Sequence, residues 1–153
     1  MQKSVARRLI DYSIDYREIS RRALGTTWDH ISEGDRTQFA SELGRLIQTR
    51  SISRGTDFGP EVRVRFEKER VSDRGTASVY ATVMGQPKPK ARSVAVEYRL
   101  IWKGDHWAMY DLVTDGDSLL EGYRAQFDRI IARESFAGLM RRMKRAGSQF
   151  DDR

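Results

Sequence analysis

The residues able to do acid-base or covalent chemistry in this chain are few: His30 and His106, no cysteine, and carboxylates scattered along the sequence. His30 follows Asp29 just after Trp28, and His106 stands at the mouth of a hairpin, so both read as exposed polar residues rather than a base or a ligand. No metal-ligand spacing, Gly-rich phosphate loop or nucleophile elbow occurs. Ser118 has no histidine after it and precedes an apolar run, which makes it a helix N-cap, with Asp117 and Glu121 favoured near the positive helix end. Asp111 is the exception. Simple alternation puts it on the parity of Trp107 and Met109, on a strand of large apolar residues where an ionised carboxylate needs a partner, and Arg99 or Arg124 would supply one. A carboxylate in an apolar cavity is also a candidate general base, so a catalytic reading would rest on Asp111, although a structural salt bridge is the favoured role. No residue is assigned as catalytic and none as a metal ligand.

The elements that must position these groups follow from periodicity. Helical spacing runs from Ser4 to Tyr12, again from Tyr16 to Leu24, where Gly25 ends it, and over Asp35 to Ser51 along Phe39, Leu43, Leu46 and Ile47. Ser32 is placed to cap the third helix, with Asp35 three residues on. The period then changes to two. Val62, Val64 and Phe66 alternate with Arg63, Arg65 and Glu67, and Val79, Ala81 and Val83 with Ser78, Tyr80 and Thr82. A loop at residues 86–90 precedes a long strand carrying Val94, Val96, Tyr98, Leu100 and Trp102 on one face. Lys103-Gly104-Asp105 turns it into a last strand, with Trp107 and Met109 facing one way and Tyr110 and Leu112 the other. Beyond Gly116 come an amphipathic helix (Leu119, Leu120, Tyr123, Phe127, Ile130, Ile131) and a second helix (Phe136, Leu139, Met140, Met143), then a polar tail. The expected fold class is α+β: one domain over residues 1–153, a twisted antiparallel sheet of about four strands covered by N- and C-terminal helices and enclosing a cone-shaped cavity.

The net charge of +6 is uneven, since residues 50–103 hold 12 Lys or Arg against 6 Asp or Glu and the remainder is balanced. Such a surface suits an anionic partner, and Arg63, Arg65, Arg92 or Arg99 at a cavity mouth would pair with phosphate. Nucleic acid is not expected, because no aromatic platform of a recognised RNA-binding motif accompanies the basic residues. Large apolar residues, by contrast, exceed what one sheet-helix interface requires. Val94, Val96, Tyr98, Leu100, Trp107, Tyr110, Leu112, Leu119, Tyr123, Phe127, Ile131, Leu139, Met140 and Met143 are the candidate lining of a cavity for flexible apolar chains, with Arg99, Arg124 and Asp111 as headgroup or structural charges.

Tyr110 to Phe127 reads YDLVTDGDSLLEGYRAQF, and upstream Leu24-Gly25-Thr26-Thr27-Trp28 is followed by Ser32, Asp35, Arg36 and Phe39. Both stretches, in this order, resemble the MlaC family of phospholipid-binding auxiliary components of ABC transporters, whose patterns are YD(V/L)xxEGxSLxxxYRxQF and LGxxW. Two departures stand out: Leu46 to Ile52 lacks the family's tyrosine, and Asp117 adds a charge beside the turn. The resemblance implies a periplasmic carrier that shuttles phospholipid between an inner-membrane ABC transporter complex and an outer-membrane lipoprotein complex, with no cofactor and no catalysis. It also implies an export signal that these residues do not contain, since the first twelve lack a signal peptide's apolar core. Tyr123-Arg124 matches the family's YR pair, with Tyr123 expected to pack and Arg124 to orient a carboxylate such as Asp111. The alternatives on the same cone-shaped plan are an NTF2-like enzyme or small-ligand protein using Asp111, and an adaptor without a ligand.

Overall fold

The alternation that starts at Arg63 builds a sheet, and the helical spacings on either side of it build a second, separate body. The computed structural model describes residues 13–55, 63–85 and 93–151, so the helix expected over residues 4–12 and the loop expected at 86–90 lie outside the described residues. The chain divides into two compact units, one formed by Met1–Asp15 with Gly55–Leu119 and the other by Tyr16–Arg54 with Leu120–Arg153.

The sheet unit contains β1 (Ser13–Ile14), β2 (Arg63–Val71), β3 (Thr76–Met84), β4 (Ser93–Trp102), β5 (Trp107–Thr114) and β6 (Asp117–Ser118). Their order is β1-β5-β4-β3-β2, with β6 beside β5, and the four long strands form the expected antiparallel meander. The two-residue strand β1 pairs with β5 in parallel. Tight turns close the hairpins. Gly75 at φ +80° and Gly104 at φ +101° take left-handed positions that a side chain would strain. Between β5 and β6 both Asp115 and Gly116 have positive φ, which a two-residue hairpin of the primed kind requires. Asp115 is fixed there by its Oδ1, which accepts from the Ala95 amide at 3.1 Å.

Two bulges change which side chains share a face. In β5, Arg99 pairs with Asp111 but Leu100 pairs with Met109, which leaves Tyr110 as the extra residue. In β2, Phe66 pairs with Ala81 and Lys68 with Tyr80, which leaves Glu67 extra. Because side chains alternate strictly along a strand, one inserted residue inverts the parity of everything beyond it. Trp107 and Met109 therefore share a face with Leu112, and Asp111 lies on the opposite face; simple alternation placed it on theirs.

The helical unit comprises α1 (Tyr16–Leu24), α2 (Thr26–His30), α3 (Glu33–Gly55) and α4 (Leu119–Asp151). Ile19, Ala23 and Leu24 are the buried stripe of α1. The Ser32 hydroxyl accepts from the Asp35 amide at 3.1 Å, the expected cap of α3. Helix α2 buries Trp28 between the guanidinium groups of Arg17 and Arg36, 5.2 and 5.3 Å from its ring. On α3, Phe39 meets Phe127 edge-on at 5.4 Å, and Tyr123 stacks on Phe127 at the same distance. Helix α4 is broken at Ser135, whose φ of 70° and ψ of 173° are not helical, so it forms the two helical segments expected from the pattern.

Candidate functional site

Each unit presents one apolar surface. In the sheet unit, the Tyr110 bulge gathers Val94, Val96, Tyr98, Leu100, Trp107 and Leu112 onto a single face. Leu100 and Met109 with Ala77 and Val79, and Val94 and Val96 with Ala81, form its two buried clusters, and half-buried Tyr98 and Leu112 pack against both. Burial also raises the Tyr98 phenol above its ordinary pKa. Tyr110 itself, half-buried, is the extra residue of the bulge and does not extend the row. Leu119 is the half-buried first residue of α4.

In the helical unit, Tyr123, Phe127, Leu139, Met140 and Met143 are buried and Ile131 is half-buried. Tyr123, Phe127, Leu139 and Met143 line a groove of about 400 Å³ together with Leu46 and Ile130, whereas Met140 and Ile131 do not reach it. That volume lies in the lower part of the range of small-molecule sites, roughly 300–1,000 Å³. Arg141, Arg142 and Arg145 line it as well, with Arg142 held by Glu134 at 2.6 Å. These arginines fall outside the apolar stripe that identified the helix, and Glu134, seven to eleven residues away, gave no one-turn signal that would mark them.

On the opposite face of the sheet, Asp111 is 1% exposed. Its Oδ2 accepts from the Ser118 hydroxyl at 2.6 Å and faces Arg99 Nη1 at 3.4 Å, and its Oδ1 accepts from the Leu112 amide at 2.8 Å. Arg99 Nε donates in turn to Glu97 at 3.1 Å, and the Ser78 hydroxyl donates to the same Glu97 oxygen at 2.8 Å. The Glu97 hydrogen bond, with the Asp111 charge behind it, raises the Arg99 pKa further. With both oxygens engaged by neighbouring donors, this carboxylate is poorly placed to take a proton from a substrate. Arg99 is thus the partner that Asp111 required. Ser118 does precede α4, but its hydroxyl proton serves Asp111. Glu97 and Ser78 were not singled out from the sequence, although Glu97 and Arg99 two residues apart on one strand signal such a pair. Arg124 lies in a second groove of about 460 Å³, with Arg21, Arg22, Asp29 and Glu121. His30 and His106 are exposed.

No group of three or more His, Cys, Asp or Glu able to hold a metal ion exists among the described residues, and none of the described helices is long and apolar enough to cross a membrane. No curated protein sequence matches the chain. Among solved structures, a phospholipid-binding protein from Ralstonia solanacearum, determined in complex with a phospholipid, has a similar fold, with a TM-score of 0.77 at 20% identity over 97% of this chain and 84% of that one. The family model described as MlaC protein matches residues 2–145, running through both units. The chain therefore belongs to the MlaC protein family.

Proposed function

We propose that this protein is a phospholipid carrier of the periplasm, acting as one functional domain that shields acyl tails with the apolar residues of the sheet face and of the helical groove. The observation that carries this reading is that a protein of the same fold holds a phospholipid. Magnitude explains the need for it. At about 0.8 kcal/mol per methylene, two tails of roughly thirty methylenes cost on the order of 20 kcal/mol to expose, so unaided crossing of water is prohibitively slow. The walls suit cargo of variable tail length, because aromatic side chains with the adaptable Met143 and Met109 fit apolar chains without demanding one shape.

In this reading the carrier works between an inner-membrane ABC transporter complex and an outer-membrane lipoprotein complex, and its direct binding partner is phospholipid, without cofactor or covalent step. The commitment of Asp111 to Arg99, Ser118 and its own strand argues against the NTF2-like enzymatic alternative. Native mass spectrometry of the purified protein, followed by organic extraction of the same sample, tests the reading. A mass excess that extracts as phospholipid is expected. A protein that stays at its apo mass after incubation with phospholipid vesicles would instead be the ligandless adaptor.

A further inference from the structure

Strand β2 is the outermost strand of the sheet order, and every one of its residues is exposed. Arg63 and Arg65 lie opposite Met84 and Thr82; Lys68 and Arg70 lie opposite Tyr80 and Ser78. Odd and even positions of a regular strand point to opposite faces, so without the Glu67 bulge the first two cations and the last two would be on different faces. With it, all four share one. The bulge residue is tied to that face: Glu67 Oε1 accepts from Arg65 Nε at 2.8 Å and from the Thr82 hydroxyl at 3.0 Å, and these bonds, Arg65's first, hold its carboxyl below the ordinary range. Lys68 Nζ sits over the Tyr80 ring at 4.9 Å.

The row is linear. At about 3.3 Å per residue, Arg63 to Arg70 span roughly 23 Å, so the cations do not converge on one small anion and instead match an extended negative surface. Charges that merely guard an edge against strand pairing work from either face, so edge protection does not account for their one-sidedness. The other face of the same strand carries Val64, Phe66 and Val71, 43%, 40% and 59% exposed, with the single carboxylate Glu69 between the last two. An acidic protein or a nucleic acid would use the cations and leave these apolar groups in water, whereas a bilayer interface takes both, with phosphates against the cations and the acyl boundary against the apolar side chains.

We propose that the β2 edge docks this protein on an anionic bilayer surface, with Arg63, Arg65, Lys68 and Arg70 on lipid phosphates and Phe66 with its neighbouring valines at the apolar boundary. The docking edge uses residues other than those assigned to the acyl tails, with Val64, Phe66 and Val71 continuing the same sheet face, and it does not rest on that assignment.

The test is co-sedimentation of the full chain with phosphatidylcholine vesicles, with and without phosphatidylglycerol. One variant is neutralised (Arg63→Gln, Arg65→Gln, Lys68→Gln, Arg70→Gln). Another is rearranged (Lys68→Glu, Glu69→Lys, Arg70→Val, Val71→Arg), which keeps composition and net charge while moving two cations to the other face. Binding should require phosphatidylglycerol and weaken with salt. At roughly fivefold per cation, the neutralised variant should lose at least about a hundredfold and the rearranged one about tenfold or more. Circular dichroism verifies that each variant folds, and if the rearranged chain does not, the neutralised variant decides. The proposal is overturned if the rearranged variant binds like the parent, if the parent ignores phosphatidylglycerol, or if immobilised polyglutamate retains the protein and vesicles do not. Lipid extracted from the same samples separates the two claims: a lipid-loaded protein that does not sediment refutes docking and leaves the carrier reading standing.

Discussion

The helical unit and the sheet unit obey the same patterning rules, yet only in the first do side chains point where an uninterrupted period would send them. Helix α1 runs over Tyr16–Leu24 with its apolar stripe buried, and α3 buries Phe39, Leu43, Leu46 and Ile47 behind the Ser32 cap. In the sheet unit, Tyr110 and Glu67 each add one residue to a strand and invert the faces beyond it. A helix absorbs a local irregularity as a kink, as at Ser135, whereas a strand converts one into an exchange of core for surface. The bulges therefore decide which groups share a face: one separates Asp111 from the apolar side chains, and the other unites the cations of β2.

Breaking that contrast most severely means deleting Tyr110. Asp111 would move to the apolar face and lose Arg99 and Ser118, and rupture of a buried, paired charge costs about 3–5 kcal/mol. Urea unfolding measures it, and a variant of parental stability would show that the bulge does not position the carboxylate. The next largest effect belongs to the helical unit. A Cβ added at the buried Gly138 would stand 2.5 Å from Glu134 Cβ across the kink, so Gly138→Ala should destabilise by about 2 kcal/mol, read from the same denaturant curves. Conversely, Ser135→Gly should raise stability by about 1 kcal/mol, because its φ of 70° with ψ of 173° is a conformation that glycine alone adopts readily.

The smallest effects are in pH dependence, and they have opposite signs in the two units. Burial raises the Tyr98 pKa, so the fold is stabilised while the phenol is neutral in both states and loses stability as pH climbs above about 10, the ordinary tyrosine value. Glu18 is pushed up by burial but pulled further down by hydrogen bonds from Arg21 and Arg22, so its contribution is present above the ordinary carboxylate pKa and fades as pH falls through the depressed one. Thermal melts across pH should show Tyr98→Phe removing part of the alkaline loss and Glu18→Gln part of the acid loss. Exchanged assignments would contradict this comparison.

The fold class was legible because long periodic segments dominate it: four strands of period two between apolar-striped helices are an α+β sequence pattern. Short elements were not. Helix α2 has five residues, too few for a stripe, and β6 has two. Strand β2 continues to Val71, but its charged run past Phe66 breaks the alternation at the bulge, so only its first half read as strand. The need of Asp111 for a cation was legible from residue types, and so was Arg99 as a candidate. Its face was not, because nothing in the composition around Tyr110 marks an extra residue. The same bulge places Trp107 and Leu112 on one face, a juxtaposition that alternation forbids.

The central claim is that these apolar residues meet acyl chains, and a phospholipid carrying a diazirine in one tail tests it most directly. After loading, irradiation and digestion, mass spectrometry should find adducts on Tyr98 and Leu112 in the sheet unit and on Tyr123, Phe127 or Met143 in the helical unit. Adducts confined to exposed residues such as those of β2, or none above an unirradiated control, would contradict the account.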